Sequence, residues 1–205
     1  RLSLVGSEMC IRDREKVELK NKNVIDVACG GGLLVEALHN FGANVTGIDI
    51  SEVAINTAQI HAKKTNCDVT YINGEAEELL PEKKEAFDVV TCLEAIEHVP
   101  DPQKLVQTCS DLCKPGGTIV FSTINRNPKS FLFAIIGAEY ILNLLPKGTH
   151  EFKKFIKPSE LSNMMRNSDL EVKEIIGMSY NPLTKKYWLG KDVDVNYLIH
   201  AEKLK

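Results

Sequence analysis

The feature that most constrains this chain is an apolar run that ends in glycines, followed one helix length later by a second apolar run that ends in an acid. The first run, residues 24–27 (VIDV), leads into residues 28–32 (ACGGG), and the second is residues 45–49 (VTGID). Glycines let a backbone approach a ligand, and a carboxylate at the tip of the next strand can accept hydrogen bonds from both ribose hydroxyls. The pattern predicts an α/β sheet that binds a nucleoside cofactor.

The spacing inside the loop bears on which cofactor binds. A dinucleotide site uses G-x-G-x-x-G so that a pyrophosphate lies on the next helix, whereas here the pattern is Asp26-x-Ala28-x-Gly30-x-Gly32. This pattern resembles motif I of the class I S-adenosylmethionine (SAM) methyltransferases. A tight turn would also explain the glycines, but the acid Asp49 favours SAM. The family usually has glycine where this chain has Ala28, and a methyl group is tolerated there if φ is negative.

The composition fits a single domain in a reducing compartment. The chain has 205 residues, of which 43% are hydrophobic, which is enough to bury a core. A net charge of −3 gives no broad attraction for nucleic acid, and no RNA-reading motif is present. The 6 cysteines lack C-x-x-C and zinc spacings, so we expect buried thiols.

Strand and helix patterns alternate along the chain without repeats. This alternation predicts a doubly wound parallel sheet, with ligands at the carboxyl ends of the strands. The predicted helices cover residues 33–41, 52–64 and 102–113, the later strands cover 69–72, 87–92 and 118–122, and residues 114–117 form a turn.

Two acids and a histidine follow the fourth predicted strand, in residues 91–99 (TCLEAIEHV). If a helical turn begins there, Glu94, Glu97 and His98 lie at i, i+3 and i+4 and converge on one side. Such a set suits Mg²⁺, which can bind both oxygens of a catechol and lower the pKa of the phenol. The alternatives are that His98 is a general base without metal, or only a wall of the site.

Four further segments extend the resemblance beyond motif I. Together with VACGGG and TCLEAIEHVPDP, they closely resemble the ubiquinone-biosynthesis O-methyltransferases, from residue 21 to about residue 205. This resemblance implies methylation of ring hydroxyls in polyprenyl catechol and demethylubiquinol intermediates, with SAM and Mg²⁺ as cofactors. The segments are residues 122–127 (STINRN), 137–140 (GAEY), 145–150 (LPKGTH) and 192–197 (DVDVNY).

The same resemblance implies a fold and a set of site residues. The fold is a Rossmann-like class I SAM methyltransferase with a mostly parallel doubly wound sheet, an antiparallel last strand and a helical insertion after the fifth strand. It implies metal coordination or acid-base chemistry at Glu94, Glu97 and His98. The implied SAM contacts are Asp26, Ala28, Gly30, Gly32, Asp49, Ile50 and Leu93.

The insertion, at about residues 127–157, carries a membrane hypothesis. Residues 131–136 and 141–145 are very apolar, and Lys147, Lys153, Lys154 and Lys157 follow. Such a helix can lie at an anionic lipid surface and deliver a polyprenyl tail, although a lid over the core would look much the same. We therefore expect as partners a polyprenylated phenol or quinol, an anionic membrane surface and other ubiquinone-biosynthesis proteins, without nucleic acid. The expected location is the cytoplasm, peripherally on the inner membrane, or the matrix face in a mitochondrion.

The first residues differ from the rest. Residues 1–14 (RLSLVGSEMCIRDR) have no helix or strand period and resemble a translated sequencing adapter; a natural disordered leader is the alternative. We expect residues 15–205 to be one methyltransferase domain, truncated at its N-terminus. Three other functions are a non-catalytic SAM- or lipid-binding relative, a methyltransferase for another small phenol, and an NAD-dependent oxidoreductase, for which the glycine spacing is wrong.

Overall fold

A computed structural model describes residues 19–130, 152–181, 184 and 186–205 of the chain. The predicted leader (residues 1–14) and most of the predicted insertion (residues 131–151) lie outside the described residues. The predictions for both segments therefore stay predictions.

The described strands form a single eight-stranded sheet in the order β3-β2-β1-β4-β5-β8-β6-β7. Neighbours from β3 to β5 run parallel, and β8 is antiparallel to both β5 and β6, which confirms the predicted antiparallel last strand. β6 and β7 are two further antiparallel strands that the sequence did not predict, and β7 lies at the edge of the sheet. The strands are β1 (Asn23–Val27), β2 (Asn44–Asp49), β3 (Thr70–Asn73), β4 (Phe87–Leu93), β5 (Cys113–Ile124), β6 (Leu170–Asn181), β7 (Lys186–Gly190) and β8 (Asn196–Lys203).

Three helices, α1, α2 and α4, lie at nearly the predicted bounds, and the other described helices were not predicted. Ser51 and Asp101 cap the two long helices, since the Ser51 Oγ accepts from the Ala54 N–H at 3.3 Å and Asp101 Oδ1 accepts from the Lys104 N–H at 3.0 Å. Across the described ranges, no helix has the length and apolar character needed to cross a bilayer. The helices are α1 (Leu33–Asn40), α2 (Glu52–Thr65), α3 (Leu80–Lys83), α4 (Pro102–Leu112), α5 (Pro128–Ser130) and α6 (Pro158–Arg166).

Apolar side chains cover both faces of the sheet. Along β1, Val24 packs with the buried side chains of α1, whereas Ile25 packs on the other side with those of α4 and α6. Successive strand residues point to opposite faces, so a buried strand between two helix layers is apolar on both faces, and the buried Asp26 is the exception in β1. The sheet is thus doubly wound, as predicted.

The start of β5 differs from the prediction. Residues 114–117 were expected to form a turn, but the strand begins at Cys113. The extra residues are accommodated by a shift of register, because Phe87 pairs with Cys113 while Val89 pairs with Thr118. Gly116, at φ +76°, adopts the left-handed conformation within this irregularity.

The chain on either side of residues 131–151 is fastened to the sheet. The Ile156 N–H donates to the Ile124 carbonyl at 3.1 Å, and the Tyr197 hydroxyl donates to the Ile156 carbonyl at 2.8 Å. Arg126 forms an ion pair with Glu160. The insertion therefore leaves and rejoins the fold at one place, the carboxyl end of β5.

Candidate active site

The strand order reverses between β1 and β4, so a crevice opens at their carboxyl ends. There the Asp49 carboxylate connects the glycine loop to the end of β2. Its Oδ2 accepts from the Gly30 N–H at 2.8 Å, and its Oδ1 accepts from the Ser51 N–H at 2.8 Å. Each carboxylate oxygen has two lone pairs, so both can still accept a ribose hydroxyl.

Ala28 does not meet the condition under which its methyl group was expected to be tolerated. Its φ is +59°, in the left-handed region, whereas the prediction required a negative value. This region brings Cβ close to the following carbonyl and is unfavourable for residues other than glycine. The residue is exposed in the loop, where its backbone is accessible to a ligand. The loop thus keeps, at Ala28, a backbone conformation that favours glycine.

Gly32 is required for space as well as for conformation. It lies at φ +77° before α1, and a Cβ there would come within 2.1 Å of the Tyr71 hydroxyl oxygen. That hydroxyl donates to the Gly32 carbonyl at 3.2 Å. Tyr71, which the sequence interpretation missed, thus supports the end of the loop from β3.

Asp26 lies beneath the loop with only 2% of its surface exposed. The Thr91 hydroxyl on β4 donates to Asp26 Oδ1 at 2.6 Å. Burial raises the pKa of Asp26 to about 7; the hydrogen bond from Thr91 lowers the pKa, and the charge of Asp49 raises it. Its position supports the loop from below, and the predicted contact with SAM stays a prediction.

Two predicted apolar contacts lie on either side of the crevice. Ile50 follows Asp49 and is 75% exposed, so it offers an apolar surface beside the predicted ribose site. Leu93 ends β4 and is partly buried. Val53, which was not predicted, is a second exposed apolar side chain, 77% exposed in the first turn of α2. The described residues thus place an apolar surface next to the acid that was expected to hold a ribose.

The chain leaves β4 in a way that the sequence did not predict. Glu94 has a φ of +53°, so it turns the chain instead of starting a helix. The 3₁₀ turn begins later and covers only Ile96–His98. The Glu94 N–H is held by two oxygens of Ser122 on β5, the carbonyl at 3.0 Å and the hydroxyl at 3.1 Å. The helical turn that was predicted over Glu94, Glu97 and His98 is therefore wrong.

Glu94 and Glu97 nevertheless come together, each held by a hydroxyl from β5. The Ser122 hydroxyl donates to Glu94 Oε1 at 2.8 Å, and the Thr123 hydroxyl donates to Glu97 Oε2 at 2.7 Å. Burial, and next the charge of Glu97, raise the pKa of Glu94 to about 8, against the lowering effect of the Ser122 hydroxyl. Glu97 is 3% exposed, and within the described ranges its Oε1 has no hydrogen-bond partner.

His98 does not join the two carboxylates in a metal-binding group. It is exposed on the 3₁₀ turn, and among the residues that the structure describes no three His, Cys, Asp or Glu side chains are placed to hold a metal ion. The predicted site of three protein ligands is therefore not assembled. Mg²⁺ is commonly held by one or two carboxylates plus waters and substrate oxygens, and Glu94 and Glu97 with the unpartnered Oε1 fit that smaller requirement.

Ser122 and Thr123 were not predicted as site residues. Leu93 pairs with Ser122 across β4 and β5, so the two hydroxyls lie level with the turn that carries the glutamates. The available signal was a pair of consecutive hydroxyl residues at the end of an apolar strand. Its meaning depends on which strand lies beside β5, and local sequence does not give that.

Comparison with known proteins agrees with this geometry. Residues 25–121 match a family described as methyltransferase domain. Ubiquinone biosynthesis O-methyltransferase from Marinobacter nauticus is 57% identical over 189 residues, covering 91% of this chain and 79% of the relative. The protein of the same description from Pseudomonas entomophila is 58% identical over 187 residues, covering 91% and 81%.

Solved structures support the fold independently of close sequence similarity. A SAM-dependent methyltransferase from Thermotoga maritima, described as a possible histamine N-methyltransferase, superposes with a TM-score of 0.70 at 21% identity, covering 99% of this chain and 90% of that one. The magnesium protoporphyrin IX methyltransferase of Synechocystis gives a TM-score of 0.69 at 18% identity, covering 98% and 81%. The predicted class I methyltransferase fold is confirmed.

Proposed function

The chain belongs to the family of the ubiquinone biosynthesis O-methyltransferases, and from this premise we propose that it transfers the methyl group of SAM to a ring hydroxyl of a polyprenylated catechol or quinol. The observation that carries the proposal is the pair Glu94 and Glu97 at the same sheet edge as the Asp49 site. A site that binds SAM alone needs no proton acceptor, whereas methylation of a phenol requires a base, and a carboxylate of this pair can supply one.

We propose that the cofactor half of the crevice binds SAM through three features. Asp49 accepts hydrogen bonds from the ribose hydroxyls with the lone pairs that Gly30 and Ser51 leave available. The exposed backbone of residues 28–31 contacts the methionine part, and the exposed Ile50 side chain contacts the adenine ring. These residues would hold SAM at the same sheet edge as the carboxyl ends of β4 and β5.

The acid half supplies the proton acceptor. A phenol has a pKa near that of tyrosine, about 10, so the ionised Glu94 carboxylate, with a pKa of about 8, is a better acceptor than an ordinary glutamate, and the ionised form predominates only above about pH 8. Glu94 takes the hydroxyl proton, and the phenolate oxygen attacks the methyl carbon of SAM. The bond between carbon and sulfur breaks with its electron pair on sulfur, giving an aryl methyl ether and S-adenosylhomocysteine.

We further propose Mg²⁺ as a second cofactor, held by Glu94 and Glu97. Glu97 Oε1, which has no hydrogen-bond partner among the residues that the structure describes, and the adjacent Glu94 carboxyl support this assignment. When bound, the ion supplies positive charge that stabilises a phenolate. In that state the carboxylates are ligands, and His98, exposed on the neighbouring turn, is the alternative base.

One assay tests the function and the metal together. The protein is incubated with methyl-labelled SAM and a short-tailed catechol, with Mg²⁺ or with excess chelator, alongside Glu97→Gln and the exposed control Glu82→Gln. We expect methylated catechol from the unchanged protein and from the control. If the unchanged protein is active in excess chelator, the result supports Glu94 as the base. If it is inactive in chelator and Mg²⁺ restores the activity, the result supports Glu94 and Glu97 as Mg²⁺ ligands. SAM binding without methylation of any phenol would instead make this chain a non-catalytic relative.

We also propose that the insertion binds an anionic membrane surface. Exposed Lys153 and Lys157 follow the apolar sequence runs 131–136 and 141–145 along the chain, and a lysine near an anionic surface contributes on the order of 1 kcal/mol. Flotation with phosphatidylglycerol vesicles is expected to fall with salt and in the Lys153→Gln/Lys157→Gln variant. The control is the Lys63→Gln/Lys64→Gln pair on α2. Equal flotation of both variants would contradict the proposal.

A further inference from the structure

We propose that Ser122 and Thr123 are positioning residues of the reaction, which hold Glu94 and Glu97 each by one carboxylate oxygen and leave the other for substrate or cation. The inference rests on the proposed function and assigns a role to two side chains that need not touch substrate or cofactor. Both hydroxyls are buried, Ser122 with 1% and Thr123 with 0% of its surface exposed.

Glu94 needs to be held because its backbone conformation is unfavourable. At φ +53° a residue with a Cβ is in the left-handed region, which other contacts must stabilise. Ser122 makes three such contacts. Its carbonyl and hydroxyl accept from the Glu94 N–H, and its hydroxyl donates to Glu94 Oε1 at 2.8 Å. One serine thus fixes both the main chain and the carboxylate of Glu94.

Glu97 depends on its neighbour in a different way. It is almost completely buried, and the Thr123 hydroxyl at 2.7 Å from Oε2 is the hydrogen-bond donor that the described residues offer to its carboxylate. A buried carboxylate with one neutral donor and a like-charged neighbour is poorly compensated. Its orientation therefore depends on that donor, and Oε1 is left for a ligand.

A third buried hydroxyl provides a matched control. The Ser110 hydroxyl, 1% exposed on α4, donates to the Ser168 carbonyl at 2.6 Å. Removing it deletes the same chemical group from an equally buried place, but its acceptor is a backbone carbonyl far along the chain from the two glutamates. If Ser122 had a purely structural role, Ser122→Ala and Ser110→Ala would have similar effects on kcat.

The experiment compares Ser122→Ala, Thr123→Val, Thr123→Ser and Ser110→Ala in the full chain. Substitutions of residues that orient ligands typically cost about 10- to 100-fold, so we expect that loss in kcat for Ser122→Ala and Thr123→Val. SAM affinity measured by calorimetry is expected to stay unchanged. Thr123→Ser keeps the hydroxyl and is expected to recover most of the activity. Ser110→Ala is expected to lose stability but not kcat.

A second measurement separates this inference from the proposed function. Mn²⁺ affinity, measured by electron paramagnetic resonance without SAM or substrate, is expected to fall in Ser122→Ala and Thr123→Val and to stay constant in Ser110→Ala. If the unchanged chain binds Mn²⁺ but methylates no phenol, the proposed function fails and the Mn²⁺ affinities decide the inference. If the unchanged chain methylates phenols without binding Mn²⁺, the kcat values of the variants decide the inference. Equal behaviour of the Ser122→Ala and Ser110→Ala variants in the deciding measurement, or no recovery in Thr123→Ser, overturns the inference.

Discussion

The two halves of the crevice are built by different means. In the cofactor half, backbone N–H groups of residues 30 and 51 converge on the Asp49 carboxylate. In the acid half, side-chain hydroxyls of Ser122 and Thr123 converge on Glu94 and Glu97. The first half depends on the path of the backbone. The second depends on the identity of side chains that a neighbouring strand contributes.

This difference separates binding from chemistry. Backbone donors tolerate many side-chain changes, so in the cofactor half the largest loss of affinity is expected when Asp49 itself is changed. Buried carboxylates lose their orientation when one hydroxyl is removed, so the acid half is expected to lose rate while affinity for SAM remains. Substitutions in one half should therefore leave the measured property of the other half unchanged.

The largest expected effect lies in the acid half. Glu94→Ala removes the carboxylate that the proposed chemistry uses as base, and general acid-base contributions are typically about 10²- to 10⁴-fold. We expect a loss of kcat in that range with SAM affinity retained, measured by steady-state kinetics and calorimetry. An equally large loss of SAM affinity would show that the two halves are not separate.

Asp49→Ala tests the opposite half. Loss of hydrogen bonds to a charged group is worth roughly 1.5 to 3 kcal/mol, and we expect SAM binding to weaken by that amount. At saturating SAM, kcat is expected to change much less. Calorimetry with SAM and with NAD measures the effect, and unchanged SAM affinity or a preference for NAD would contradict the assignment of Asp49.

Asp26 extends the comparison to a buried acid in the cofactor half. Because its pKa is raised from 3.8 to about 7, the folded protein keeps a proton that the unfolded chain has lost between these values. Stability therefore falls as pH rises, by about 2 kcal/mol between pH 5 and pH 7 for this group. The free energy of unfolding is measured with urea at several pH values between 5 and 7. We expect it to fall with pH more steeply in the unchanged protein than in Asp26→Asn. The same pH dependence of unfolding free energy in both proteins would mean that Asp26 is ionised when folded.

The smallest expected effect concerns Ala28. Its left-handed conformation costs about 1 to 2 kcal/mol, and the entropy of an unfolded glycine offsets part of the gain from replacing it. We expect Ala28→Gly to stabilise the protein by roughly 0.5 to 1 kcal/mol in urea unfolding, and Ala28→Val to destabilise it. A loss of stability in Ala28→Gly would show that the methyl group makes compensating contacts.

The sequence predicted the cofactor half better than the acid half, for a physical reason. The position of Asp49 opposite the loop follows from two adjacent parallel strands, which hydrophobic runs and glycines reveal. The turn at Glu94 and its hydroxyl partners on β5 arise from contacts between residues 28 apart in the chain. A helical reading of residues 94–98 was locally reasonable, and tertiary hydrogen bonds to Ser122 overrode it.

The fastening of the insertion at Ile124 and Ile156 has a consequence for how far this chain can vary. Because both ends are fixed, the insertion is a closed loop, and the entropy of closing a loop grows only with the logarithm of its length. Doubling the number of residues between the two fixed ends costs about 0.6 kcal/mol if the added residues are flexible. Length there is therefore thermodynamically inexpensive, so this one segment can be lengthened or shortened without moving Glu94 or Glu97.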